Sequence, residues 1–129
     1  MYVFGGYSTT YVNDLFMLNL GTLAWSRPRV TGQPPLPRAY HSIVAAGKEL
    51  VVFGGLYLRK PFNDIAIFNV VKNQWSVPTV SGTAPCARYH HVCEVIGKKM
   101  YVIGGTDGKS IFNDIHVLDL NDFTWSGFS

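Results

Sequence analysis

The stretch MYVIGGTDGKSIFNDIHVLDLNDFTW, Met100 to Trp125, decides the fold. It opens on four apolar residues, breaks at Gly104-Gly105 and passes through a polar loop. It resumes at Asn113-Asp114, runs through an apolar segment and closes on Trp125. The same order stands at the start of the chain, MYVFGGYSTTYVNDLFMLNLGTLAW from Met1 to Trp25, and again between Leu50 and Trp75. Trp25, Trp75 and Trp125 fall 50 residues apart, and Asn13-Asp14, Asn63-Asp64 and Asn113-Asp114 keep the same interval. So do Arg38 and Arg88, and His41 and His91. The glycine pairs Gly5-Gly6, Gly54-Gly55 and Gly104-Gly105 are 49 and then 50 apart, so the loop between Gly6 and Asn13 is one residue short. A length change of that kind belongs in a surface loop. One unit stamped out repeatedly at this period builds interaction surfaces more often than catalytic pockets.

A single unit predicts four short strands. In the unit from His41 to Ser76 they are Ile43 to Ala46, then Leu50 to Phe53 ending at the double glycine, then Ile65 to Asn69, then Gln74 to Ser76 around Trp75. No window has a helical apolar period, and β-branched and aromatic residues fill the strands. Their apolar runs are nearly continuous, which suits sheets covered on both faces.

Apolar residues, a double glycine, a loop, an apolar strand and a tryptophan, in that order, resemble the kelch repeat in its long form. Val30-Thr31-Gly32 through Pro35, Pro37 and Arg38 is similar to the linker between kelch blades, and Val80-Ser81-Gly82 through Pro85 and Arg88 repeats it. The resemblance covers essentially the whole chain. One departure is that Leu18, Phe68 and Leu118 stand where the family usually has a tyrosine. The resemblance implies an all-β fold, a partial β-propeller of four-stranded antiparallel blades. Residues 1–129 then belong to one propeller domain, with units of roughly 1–37 (incomplete), 38–87 and 88–129. Radial stacking is how such sheets bury both faces, and rings take about 4–8 blades. Two complete units and part of a third would leave strand edges and blade faces bare, so the expectation is a segment of a longer propeller. Each Trp should pack between blades.

Hydrophobic residues make up 47% of the chain, with eight phenylalanines, seven tyrosines and three tryptophans, enough for a packed core. The formal charge of +3 is too small to argue for nucleic-acid binding. No apolar run is long enough to span a membrane. Cys86 and Cys93 hold unrelated places in the repeat and form no disulfide framework. A reducing compartment is therefore expected, cytoplasmic with room for nuclear or cytoskeletal association.

Several residues invite a chemical reading and receive a structural one. Cys86, His90, His91 and Cys93 could offer soft-metal ligands, but strand alternation turns His90 away from His91 and Cys93. His41 also repeats His91 without a cysteine nearby, so a structural hydrogen bond at the blade entrance is expected instead. Glu94 falls in a first strand and should line the central channel or find a partner. His116 stands where Phe16 and Ala66 stand, and reads as a tolerant packing position. The Asn-Asp pairs open third strands, where their side chains should bond nearby backbone. Arg38 and Arg88 should tie one blade to the next. This reading assigns no metal or cofactor and no catalytic residue.

Function then belongs where the repeats differ. The loops between second and third strands share a face with the linkers, and no two of these loops are alike. Arg27, Arg29, Arg59, Lys60 and Lys109 fall there, with Tyr57 beside them and Tyr40, Tyr89 and His90 at the linker-to-strand junctions. A divergent, basic, tyrosine-bearing face suits recognition of a protein or peptide, and an acidic or phosphorylated segment fits its charge. The resemblance implies a non-enzymatic interaction scaffold or adaptor. Its alternative is a metal-dependent kelch-type enzyme, copper-oxidase-like or iron-dependent, with its site mostly outside these residues.

Overall fold

The computed structural model describes residues 1–128 and contains only strands and turns. The first sheet is β1 (Tyr2–Tyr7), β2 (Tyr11–Leu18) and β3 (Trp25–Ser26), in that order. The second is β4 (Ser42–Ala46), β5 (Glu49–Phe53), β8 (Ile65–Asn69) and β9 (Gln74–Ser76). A small hairpin, β6 (Leu56–Tyr57) and β7 (Lys60–Pro61), is set between β5 and β8. The third is β11 (Val92–Ile96), β12 (Lys99–Thr106), β13 (Ile111–Asp119) and β14 (Thr124–Phe128). Within each sheet, successive strands are antiparallel. The linker strand β10 (Ser81–Gly82) joins the third sheet, running parallel to β14 along its outer edge. Thr31 makes the equivalent parallel bridge to Gln74 on the second sheet. Each linker therefore crosses to the outermost strand of the following blade before its chain enters that blade from the inner edge.

Strand alternation explains the core. Leu50, Val52, Ala66 and Phe68 of the second sheet point to one side, where they meet Phe4 and Leu15 of the first sheet. Val51, Phe53, Ile65 and Ile67 point to the other, against Met100, Val102 and Leu118 of the third. Only a sheet covered on both faces needs apolar residues at consecutive positions, and β5 and β8 are that sheet. Burial of each such side chain contributes about 1.5–3 kcal/mol. Trp75 lies between Phe4 and Phe68, with ring centroids 5.1 and 5.0 Å away, and Trp125 packs on Phe53 at 5.4 Å. β4 and β11 lie against each other, so the blades converge on their first strands.

Three expectations need correction. Trp25 is 57% exposed, against 3% for Trp75 and Trp125. No sheet lies against its side of the first blade among the described residues, so its ring has nothing to pack on. The double glycine does not end the second strand everywhere. In β1 and β12 the ladder continues through it as a bulge, with register shifts between Phe4 and Gly6 and between Ile103 and Gly105. Only β5 stops, although the segment after Gly55 is as long as that after Gly105; pairing resumes beyond it as the separate β6–β7 hairpin, where Pro61, which has no N–H to donate, stands opposite Leu56. The Asn side chains also reach farther than nearby backbone. Asn13 Nδ2 donates to the Pro35 carbonyl at 3.0 Å and Asn63 Nδ2 to that of Pro85 at 3.1 Å, holding the linker over the strand.

Candidate interaction face

Two buried arginines organise the linker ends. The Arg38 guanidinium donates to both carboxylate oxygens of Asp64, at 2.6 and 2.9 Å, and to the Gly54 carbonyl at 3.0 Å. Arg88 repeats this on Asp114, at 2.6 and 2.9 Å, and on the Gly104 carbonyl at 2.8 Å. Both guanidinium groups lie 4.3 Å from a phenylalanine ring centroid, Phe62 and Phe112. Backbone and side chain serve different blades. The Arg38 carbonyl accepts from Gly6 N–H of the first sheet at 2.8 Å, and the Arg88 carbonyl from Gly55 N–H of the second at 2.9 Å. The expected blade-to-blade tie is thus built by one residue facing both ways. Each guanidinium is buried while its carboxylate partner still reaches solvent, and a buried cation of this kind needs its donors used. Arg88 holds the Asp114 carboxyl well below the usual range, and His116, 2.9 Å away, adds to the effect. His116 is therefore more than a packing residue: it shares the Asp114 carboxylate with Arg88.

The double glycine makes room for this junction. A Cβ on Gly55 would press against the Ala39 carbonyl and the His41 Cβ, at 2.9 and 2.7 Å, and the φ of +104° also favours glycine. His41 Nε2 lies 2.8 Å from the Phe4 carbonyl, the structural bond expected at the blade entrance. His91 instead meets Ser42 Oγ at 3.0 Å, and Ser42 Oγ is also within reach of Cys93 Sγ at 3.0 Å. Burial, reinforced by Arg88, pushes His91 down to about 4, and burial pushes the Cys93 thiol up to about 11. At neutral pH this cluster is an uncharged packing network. Cys93 contributes to the core between the second and third sheets, whereas Cys86 is exposed on the linker. Glu94 is exposed on β11 between the exposed Val92 and Ile96, on the face of the third sheet opposite Cys93 and Val95, and has no ion-pair partner among the described residues.

The β1–β2 turn, the β6–β7 hairpin and the β12–β13 turn share one end of the sheets with the linker junctions. Tyr40 and His90 stack at 4.3 Å and Tyr89 lies 5.3 Å from His90, so two successive junctions form one aromatic cluster. Tyr40 and His90 both adopt φ of +58°. Leu23 and Phe123 do the same at the other end, so this strain belongs to the repeat rather than to the cluster. Arg59, Lys109 and Tyr89 line a cleft of about 380 Å³ together with Asp107. Asp107 accepts backbone N–H bonds from Lys109 at 2.8 Å and Ser110 at 2.7 Å, which hold its carboxyl below the ordinary value. It shapes the loop and keeps one negative charge beside the two cations.

Not all the candidate cations converge. Arg27 is held by Asp14 at 2.6 Å and lies over the Phe16 ring, away from these clefts. Arg29 is exposed on the outer linker. Lys60 sits on β7 with its ammonium 5.8 Å from the Phe62 ring centroid. Tyr57 meets Tyr11 at 5.4 Å, and Tyr11 meets Tyr7 at 4.8 Å. Sequence reasoning does not single out Tyr7 and Tyr11, because contacts between divergent loops leave no periodic trace.

The sequence model of the KLHDC2/KLHL20/DRC7 Kelch-repeats domain matches residues 1–129. The chain belongs to the kelch-repeat family. Parts of it are similar to human Host cell factor 2, 44% identical over 55 residues, covering 43% of this chain and 7% of that protein. The Rho GTPase-activating protein gacHH of Dictyostelium discoideum is 46% identical over 55 residues, 42% of this chain and 4% of that protein. The Host cell factor homolog hcf-1 of Caenorhabditis elegans is 45% identical over 60 residues, 43% and 8% respectively. The kelch chain thus matches less than a tenth of the length of these relatives. Its three sheets are blades of a partial kelch propeller, and no helix among the described residues is long and apolar enough to cross a membrane.

Proposed function

We propose that this kelch chain is a non-enzymatic scaffold or adaptor. It would bind a protein or peptide partner through the face of second-to-third-strand loops and linker ends, as consecutive units (1–37, 38–87 and 88–129) of one propeller domain. The observation that carries this reading is the contrast between the two kinds of charge. Arg38 and Arg88 are buried and fully bonded, whereas Arg59 and Lys109, 50 residues apart at the same place in successive units, line an open cleft beside Tyr89 and form no ion pair among the described residues. Arg59, Lys60 and Lys109, with Tyr57, Tyr40, Tyr89 and His90, form the working surface, and its charge suits a partner with carboxylate or phosphate groups. Arg27, neutralised by Asp14, contributes least, and Arg29 sits at the margin. The family and the relatives in which such units are embedded support an interaction role, by analogy of fold. The test is the double charge reversal Arg59→Glu with Lys60→Glu, scored by partner pulldown at two salt concentrations. Partner recovery should fall, most clearly at low salt, where surface charge is least screened. Unchanged recovery at low salt would remove this pair from the binding surface.

A further inference from the structure

Three tyrosines line the seam between the first and second blades. Tyr7 and Tyr11 are directly opposite one another on the β1–β2 ladder, and Tyr57 reaches Tyr11 from the β6–β7 hairpin. Thr9, Thr10, Leu58 and Arg59 complete the wall of an open groove of about 690 Å³. The rings stand on hydrogen-bonded strands rather than on free loops, and the hairpin is itself pinned by the backbone bridge between Ala39 and Leu56. The repeat does not ask for them. The residue after the double glycine is Tyr7, Leu56 or Thr106, and the residue two before the Asn-Asp pair is Tyr11, Pro61 or Ile111. The fold is satisfied by Thr, Ile and Pro at these places. Tyr7 and Leu58 are nonetheless more than half exposed.

We propose that this groove binds a proline-rich segment in the polyproline II conformation, with an acidic residue of that segment against Arg59. The inference rests on the loop face being the partner-binding face and names the chemistry of the partner there. The spacing fits. Polyproline II rises about 3.1 Å per residue, so prolines three apart are about 9.3 Å apart on the same side of the helix. The three rings, at 4.8 and 5.4 Å, span at most about 10 Å from Tyr7 to Tyr57. Two prolines can stack on the outer rings while the residues between them pass over Tyr11. A polyproline II backbone has no internal hydrogen bonds, and tyrosine hydroxyls at the groove rim can donate to its carbonyls. Both sides are stiff before they meet, so little conformational freedom is lost on binding. Among the described residues, Arg59 is the one charged side chain of the groove wall. A single guanidinium among aromatic rings suits one carboxylate beside an apolar segment better than it suits a phosphate, which calls for several donors.

The test uses fluorescence polarisation with three labelled short peptides on the purified chain. The first carries a Pro-x-x-Pro run followed by glutamate, the second has its prolines replaced by alanine, and the third has glutamine for glutamate. The first should bind best, with the alanine peptide weaker by roughly tenfold or more. Tyr57→Ala, on an edge hairpin and checked for folding by near-ultraviolet circular dichroism, should cause a similar loss. Tyr11→Phe keeps the ring and should lose only a few-fold. Arg59→Gln should weaken the glutamate peptide and leave the glutamine peptide unchanged. Equal binding of the proline and alanine peptides would overturn the proposal while leaving the loop face as a site for acidic segments. The proposal also fails, with the loop face retained, if no peptide binds yet partner pulldown still responds to charge reversal at Arg59 and Lys60. Full binding by the folded Tyr57→Ala variant would exclude this groove.

Discussion

Gly82 brings the linker into close backbone contact with the next blade, as Gly32 does one unit earlier, and Gly82→Ala tests that closeness. The residue lies on β10 opposite Trp125, with φ of +77°. A Cβ built there would overlap the Trp125 carbonyl oxygen, well inside the 3.0 Å that Cβ atoms respect, and would stand 3.0 Å from the Trp125 nitrogen. Both obstacles are backbone and cannot swing aside. Relief requires β10 to lift from β14, which breaks the bond from Ser81 N–H to the Phe123 carbonyl (3.0 Å) and the hydroxyl contact between Ser81 and Thr124 (2.9 Å). Each lost bond is worth about 0.5–1.5 kcal/mol. Holding alanine in the left-handed region adds about 1 kcal/mol. The substitution should therefore cost about 2–4 kcal/mol in all. Gly97→Ala is the internal control: its φ is +62°, but no atom lies within 4 Å of the new Cβ. It should cost only about 1 kcal/mol, the backbone component alone. Urea unfolding followed by tryptophan fluorescence reads both, as a shift of midpoint at unchanged slope. Equal shifts for the two variants would refute the idea that linker and blade are in close backbone contact.

The tryptophans provide a second comparison. Trp75→Ala should cost about 3–5 kcal/mol because its ring is enclosed, and Trp25→Ala under about 1 kcal/mol because more than half of its ring already meets solvent. Similar losses for both would contradict the packing described. A third expectation concerns acid. His91 titrates at about 4 in the folded chain instead of 6.5, so between those values the unfolded chain binds more protons and stability falls as pH is lowered. His41, also pushed down by burial, acts in the same direction, and Asp114 adds a further loss below its ordinary value of 3.8. From pH 6.5 to 4 the His91 contribution should amount to about 3 kcal/mol. His91→Gln should flatten that part of the stability profile, and an unchanged slope would show that His91 does not carry it.

What can be read from the sequence follows what repeats. β8 lies where the apolar pattern places it, because a strand buried on both faces announces itself at every residue, and β9 lies where Trp75 marks it. Arg38 and Arg88 are recognisable as structural because they recur, although their use of backbone on one blade and side chain on the next emerges only in the folded chain. The β6–β7 hairpin reads as loop: two rungs of two residues are too short to leave a period. Arg27 looks like a free surface cation because it has no counterpart, yet Asp14 claims it, as Asp64 claims Arg38. Phe16 and Ala66 make the place of His116 look indifferent to chemistry, and its contact with Asp114 is private to the third blade. The tyrosine groove is the clearest case. Tyr11 and Tyr57 are brought together by the stacking of two sheets, and no spacing rule predicts which residues of two unlike loops will meet.

The two-way attachment of Arg38 and Arg88 bears on how such a chain could lengthen or shorten. Each 50-residue stretch carries, in its arginine, the means of fastening to the unit before it and, in its double glycine and aspartate, the receptacle for its own guanidinium. Tandem copying of one stretch would therefore reproduce a complete joint without any compensating change elsewhere. Cutting within a stretch would instead strand either a buried cation or the carboxylate meant for it. Gain and loss of whole units are thus tolerable events and gain or loss of half-units are not, which leaves the loops free to diverge while the joints stay alike.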